Sequence, residues 1–190
     1  MHLFKVESEY FSGEVKVISP TKVFSDHRGA FSVTYRADEA KDIGLPEFVQ
    51  DNCSTSVAGV VRGLHFQLNP PMGKLMRITK GTGLLVAVDI RPESPTFLQW
   101  VGIEASEGNR RQVWAPARFA RGFSAFTDIE VQYKCTNHFN ADSDYAIRWD
   151  DTRIGVEWGV DNPILSERDE RAPTVSEYFG GLSDNFVRVS

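Results

Sequence analysis

Residues 75–90, LMRITKGTGLLVAVDI, set two apolar runs on either side of the four-residue stretch KGTG. Each run has strand length, and both are rich in the branched and long apolar side chains that suit a pleated surface. The glycines between them read as a hairpin turn. Working outward, the same signal recurs. FLQWVGIEA (97–105) and IEVQYKCTNHF (129–139) follow as strands, and VKVISPTKVF (15–24) and AFSVTYR (30–36) bracket the turn SDHRG (25–29). In the 129–139 run, alternation puts Val131, Tyr133 and Cys135 on one side and Gln132, Lys134 and Thr136 on the other. Helical patterns are short: ADEAKDIG (37–44) stops on a glycine, and SERDERA (166–172) starts on a serine cap. The expectation is an all-β chain, an antiparallel barrel or sandwich with short flanking helices. A jelly-roll barrel suits one strand-lined pocket, and an immunoglobulin-like sandwich fits the pattern nearly as well. With no repeat, low-complexity tract or linker, residues 1–190 read as one domain.

The 190 residues are 41% hydrophobic and 25% charged, with a formal net charge of −5. That balance is globular and argues against an electrostatic nucleic-acid binder, while leaving room for a local basic pocket. Cys53 and Cys135 lie far apart without CxxC spacing, as expected of free thiols in a reducing cytoplasm. The opening MHLFKVESEYF is broken by charges and has no apolar signal core. No apolar run approaches the roughly 18 residues of a membrane span. A soluble, cytoplasmic protein with no membrane partner is expected.

Chemistry enters at residues 61–67, VRGLHFQ, where one histidine sits among apolar residues with Arg62 before it and Lys74 after it. Strict alternation places Gly63, His65 and Gln67 on one face and Arg62, Leu64 and Phe66 on the other. Arg62 joins His65 only if Gly63 marks a bulge. The other histidines, His2, His27 and His138, are scattered. Gln67 stands where a metal-binding barrel would place a second histidine, and Arg121 of FARGF stands where it would place a third, so no metal site is expected. What remains is proton transfer beside a stabilised anion. An imidazole titrates near neutral pH and suits a general base. Lys74 or Arg62 can hold an oxyanion, Tyr133 can return a proton from the opposite side, and Asp169 can fix the imidazole tautomer.

The blocks FSDHRGAF, FVQDN, GVVRGLHFQ, GKLMRITKG, VAVDIRPESPTF, WVGIEAS, FARGF, YKCTN, IRWDD, IGVEW and LSERD, in this order from residue 24, resemble the RmlC-type cupins. These are the 3,5-epimerases of dTDP-4-dehydro-6-deoxyhexoses. The resemblance implies a jelly-roll barrel, a homodimer with exchanged N-terminal strands, and no cofactor. It implies His65 as base, Asp169 as its partner, Lys74 near the C4 oxygen and Tyr133 as acid. It sets Arg28 and Arg62 at the diphosphate, Gln50 and Asn52 at the nucleotide, Phe31, His138 and Arg168 at the substrate, and Asp144 where a glutamate is usual.

Three departures fall in the implied ligand site. Arg121 replaces a histidine, and a guanidinium binds oxygen but is no base at neutral pH. Val33 replaces a glutamate that helps hold the base. His138 and Phe139 replace a pair containing the tyrosine that stacks on thymine. The expected activity is inversion at C3, C5 or both of a nucleotide-linked 4-dehydro-6-deoxyhexose, first of all dTDP-4-dehydro-6-deoxy-D-glucose, through an enolate. Alternatives at this point are a single-centre epimerase or ketoisomerase acting on a CDP-, GDP- or modified dTDP-sugar, and a non-catalytic sugar-nucleotide-binding barrel.

Overall fold

A computed structural model describes residues 2–180 of the chain. The strands are β1 (Phe4–Tyr10), β2 (Val15–Pro20), β3 (Phe24–Asp26), β4 (Gly29–Phe31), β5 (Gln50–Ser56), β6 (Val61–Gln67), β7 (Lys74–Lys80), β8 (Thr82–Asp89), β9 (Trp100–Ser106), β10 (Gln112–Ala115), β11 (Phe119–Ala125), β12 (Ile129–Cys135) and β13 (Asp144–Ala146). Short helices α1 (Ala37–Asp42), α2 (Glu167–Glu170) and α3 (Val175–Gly180) flank them. One antiparallel sheet has the order β1-β2-β10-β7-β12-β5, a second has β13-β6-β11-β8-β9, and β3-β4 form a separate hairpin.

The hairpin expected at KGTG does not form. β7 and β8 lie in different sheets, so this turn carries the chain across the barrel instead of folding it back in plane. Gly81 enables the crossing. Its φ is +78°, and a Cβ there would meet the Asp128 carbonyl oxygen at 2.2 Å. The same crossing recurs along β5 to β8 and again from β9 to β13, with successive strands changing sheet. That alternation makes the sandwich a jelly roll and sets aside the immunoglobulin-like arrangement.

The sheets order the side chains into three apolar layers. β8 shows why its run is continuous: Leu85 and Ala87 enter the layer between the sheets, with Val17, Met76, Ile78, Val113, Phe119 and Val131. Val86 and Val88 face outward into a second layer, with Leu64, Phe66, Ile147, Trp158 and Val175, beneath residues 147–179. The third layer, Phe4, Ile18, Ala40, Leu45, Leu75 and Trp114, lies between α1 and the six-stranded sheet. Each fully buried side chain of this size contributes about 1.5–3 kcal/mol, so strands covered on both faces need no polar alternation.

Four extended readings shorten: the 97–105 run starts only at Trp100, the 129–139 run ends at Cys135, and two more break as follows. The 15–24 run breaks after Pro20, which has no N–H to continue a ladder, and resumes only as β3. The 30–36 run keeps strand geometry only to Phe31. The turn between them holds, as do α1, which ends before a left-handed Gly44, and α2, whose Ser166 side chain accepts from Asp169 N.

Candidate active site

The site begins with a defect in β6. Arg121 of β11 pairs with His65 and Phe123 pairs with Arg62, so Gly63 and Leu64 together oppose Gly122. This bulge corrects strict alternation: Arg62 and His65, three apart, both line the interior cavity, while Leu64 and Phe66 enter the outer layer. Gly63 has φ +133°, and a Cβ there would sit 2.7 Å from Gly122 Cα. No other residue type fits.

The cavity, about 150 Å³, lies between the sheets and is lined by Ser54, Arg62, His65, Lys74, Met76, Arg121, Phe123, Val131 and Tyr133. His65 reaches it from the five-stranded sheet, and Lys74 and Tyr133 from the six-stranded one. At this volume it is smaller than a pocket that encloses a whole drug-sized ligand. It suits a ring inserted from a longer molecule.

Behind the imidazole, His65 Nε2 lies 2.6 Å from Asp169 Oδ1. Asp169, at 2% exposure, is not the solvated helix-start charge that its sequence context suggests. Its second oxygen accepts from Ser166 Oγ at 2.8 Å. Burial raises the pKa of this carboxyl, but the His65 bond and charge, Ser166 and the Gly63 N–H together hold it below the usual carboxylate value. Asp169 is thus an anion that fixes one imidazole nitrogen and leaves the other for chemistry. Ser166 is a site residue that the sequence reading missed as such. Its signal was the S-x-x-D cap spacing, which here also orients the Asp169 carboxylate.

Across the cavity, the Lys74 ammonium lies 4.7 Å over the Tyr133 ring. Burial, and secondarily the Arg121 charge, push the Lys74 pKa down to about 8. Burial also raises the Tyr133 phenol, with Asn52 hydrogen-bonded to it, so the hydroxyl stays protonated at neutral pH. Arg121, at 3% exposure, donates from Nη1 to the carbonyls of Met72 (2.6 Å) and Pro116 (3.3 Å). Burial brings its pKa down to about 10, which leaves it charged at neutral pH.

The remaining expected residues divide into a rim and a remote group. Arg62 is held at the exposed end by Ser56 Oγ and the Thr55 carbonyl, both at 3.1 Å. Gln50 donates to Asn52 Oδ1 at 3.0 Å on the inward side of β5. Asp144 is bridged to Arg168 at 2.6 Å, and the charges of both are felt at Lys74. His138 and Phe139 are exposed on a loop tied to Gln67 and Gln50. Gln67 is not a cavity wall: its amide bonds Pro70, His138 and Asn140 backbone groups. Val33 packs in the layer outside the six-stranded sheet and does not line this cavity. Arg28 and Phe31 lie outside this cavity, on the β3–β4 hairpin, with Arg28 paired to Asp26.

The chain matches known proteins along most of its length. A family model described as dTDP-4-dehydrorhamnose 3,5-epimerase matches residues 13–177. The chain is 44% identical over 158 residues to the dTDP-4-dehydrorhamnose 3,5-epimerase of Methanothermobacter thermautotrophicus, covering 80% of this chain and 85% of that one. It is 43% identical over 182 residues to the Escherichia coli enzyme of the same name, covering 93% and 96%. Among solved structures, it is similar to dTDP-6-deoxy-D-glucose-3,5-epimerase RmlC from Legionella pneumophila in complex with dTDP-4-keto-L-rhamnose. That match has a TM-score of 0.88 and 36% identity, over 94% of this chain and 96% of that one.

Proposed function

We propose, for a chain that belongs to the dTDP-4-dehydrorhamnose 3,5-epimerase family, that it inverts C3 and C5 of dTDP-4-dehydro-6-deoxy-D-glucose with His65 as base and Tyr133 as acid. The whole chain acts as one epimerase domain on a nucleotide-linked 4-keto sugar. The observation that carries the reading is the placement of His65 and Tyr133 on facing sheets, flanking one cavity. Removal of a proton from one face of a sugar ring and its return from the other is inversion.

The C4 ketone acidifies the hydrogens on C3 and C5. His65, oriented by Asp169, takes one; the C–H electron pair forms a C–C double bond and the carbonyl pair moves onto oxygen. The Lys74 ammonium meets that negative charge inside the cavity. Tyr133 then gives its hydroxyl proton to the opposite face, the electrons return to the ketone, and solvent restores both groups. Positioning by the nucleoside diphosphate, held at the rim by Arg62, supplies binding energy remote from the reacting carbons.

The active form in this reading is a homodimer. All six strand residues of the β3–β4 hairpin are exposed, and Phe24 (58%) and Phe31 (64%) stand beside each other with ring centroids 6.4 Å apart. A lone two-stranded hairpin with a bare aromatic face is marginal in water and suits a partner. Docked on a second subunit, it would bring Arg28 and Phe31 to that subunit's substrate. Both cysteines are free, which supports work in the cytoplasm. Among the described residues no helix is long and apolar enough to cross a membrane.

Incubation with dTDP-, CDP- and GDP-4-dehydro-6-deoxyglucose in D₂O, followed by NMR, tests the activity. Deuterium at both C3 and C5 of the dTDP sugar, with the rhamno product, is expected. Label at one carbon only, a relocated carbonyl, or exchange confined to another nucleotide would overturn the assignment.

A further inference from the structure

The motif FARGF leaves Arg121 with more hydrogen-bonding capacity than the fold uses. Nη1 is anchored on the Met72 and Pro116 carbonyls, which fixes the guanidinium plane. Nε and Nη2 are buried and have no hydrogen-bond partner among the described residues. These two atoms form one edge of the fork, the edge that grips oxygen with parallel N–H bonds. Buried polar groups are nearly always paired, so an open charged edge beside a cavity marks a ligand position.

Its surroundings narrow the ligand. The side chain of Lys74, also in the cavity, makes no hydrogen bond among the described residues. Arg121 and Arg168 oppose its charge; Cys135 and Asp144 favour it, but the Asp144 carboxylate is already bridged to Arg168. A buried Arg121 and a partly buried Lys74 therefore share a small cavity with no carboxylate bonded to either. An incoming anionic oxygen relieves that repulsion. Arg121 is moreover the direct cross-strand partner of His65, which places their Cβ atoms about 5 Å apart. An oxygen on the carbon next to the one facing His65 falls within its reach. For a diphosphate, Arg62 already offers a cation at the rim.

We propose that Arg121 is a catalytic residue of this chain: its Nε–Nη2 edge takes the C4 oxygen as that oxygen gains negative charge, with Lys74 as the second cation. This deepens the epimerase reading and rests on it. As His65 takes the carbon-bound proton, the carbonyl electron pair moves to an oxygen that Arg121 already holds. When Tyr133 protonates the opposite face, the pair returns and the hydrogen bonds weaken again. A guanidinium keeps its charge throughout, so it steadies the enolate without protonating it.

The test compares wild type, Arg121→Gln and Arg121→Lys for deuterium exchange into dTDP-4-dehydro-6-deoxyglucose and, separately, for dTDP affinity by calorimetry. Exchange in Arg121→Gln is expected to fall about 10²- to 10³-fold, the usual effect of losing an oxyanion donor, with dTDP affinity unchanged. The alkaline limb of its pH–rate profile is expected to move upward, because Lys74 loses a like-charged neighbour. Weakened dTDP binding with unchanged turnover of bound substrate would overturn the proposal in favour of a phosphate clamp. Unchanged exchange and an unmoved limb would make Arg121 purely structural. If Arg121→Gln does not fold, Arg121→Lys, which keeps a donor for the two carbonyls but loses the fork, decides by the same readings. Absence of exchange in wild type would sink the epimerase reading itself, whereas wild-type exchange with unaffected variants sinks only the role of Arg121.

Discussion

A carboxylate buried at 2% exposure is stable as an anion only because its neighbours hold it there. For Asp169 they are His65, Ser166 and the Gly63 N–H. Asp169→Asn removes the charge that fixes the imidazole, and exchange should fall roughly 10²- to 10⁴-fold with little change in KM. The same substitution has a signature in stability. A carboxyl lowered in the fold contributes stability above about pH 4, its unfolded value, and loses it as pH falls through the folded one. Urea titrations from about pH 6 to about pH 3 should therefore show wild type losing more stability than Asp169→Asn. A constant gap would mean that the carboxyl is not held as an anion. Lys74 behaves in the opposite sense. An ammonium lowered to about 8 by burial costs folding free energy at neutral pH. Lys74→Met should be more stable to urea by on the order of 2 kcal/mol while losing most exchange activity. A destabilised, active variant would contradict its placement.

At the level of elements, the bulge in β6 is what the sequence disclosed least. The residues proposed to carry chemistry were legible: a histidine between cations and a tyrosine on an alternating strand, with a glycine that permits a bulge. Whether the bulge exists depends on the register of β11, which is a long-range fact. Gly63→Ala would force a Cβ against Gly122 at 2.7 Å in a left-handed conformation. The expected loss is about 2–4 kcal/mol in chemical denaturation, with activity falling further than stability explains because Arg62 rotates away from His65. A variant of wild-type stability would show that the bulge is not required. The KGTG turn was misread for a related reason. Local turn chemistry reports that the chain reverses, and both a hairpin and a sheet-crossing corner satisfy that. Only the pairing of β7 with β10 and β12, and of β8 with β9 and β11, separates them.

For the whole molecule, strand-rich patterning with few helices delivered the all-β class. Strand pattern left the jelly roll and the immunoglobulin-like sandwich open, and the motif resemblance chose the jelly roll; the sheet-changing connections that define it lie in no local window. The three-layer packing explains why apolar runs such as LLVAV show no alternation, and hence why periodicity alone was silent about the faces. Arg28 and Phe31 were read as ligand contacts, yet within one chain they lie outside the cavity, so their role depends on assembly. Sedimentation should give a mass of two chains. Mixing inactive Arg28→Ala and His65→Ala proteins under subunit exchange should restore part of the activity, since one site then holds an intact cavity and an intact hairpin. A one-chain mass, or mixing without recovery, would contradict exchange of the hairpin.

The central claim is that His65 withdraws hydrogen from the carbons flanking the ketone. Its most direct test is the rate of deuterium entry at C3 and C5 of dTDP-4-dehydro-6-deoxyglucose in folded His65→Ala, measured by NMR beside wild type. The account predicts loss of entry at both carbons by at least about 10²-fold, the contribution of a positioned base. Exchange at the wild-type rate at either carbon would contradict it.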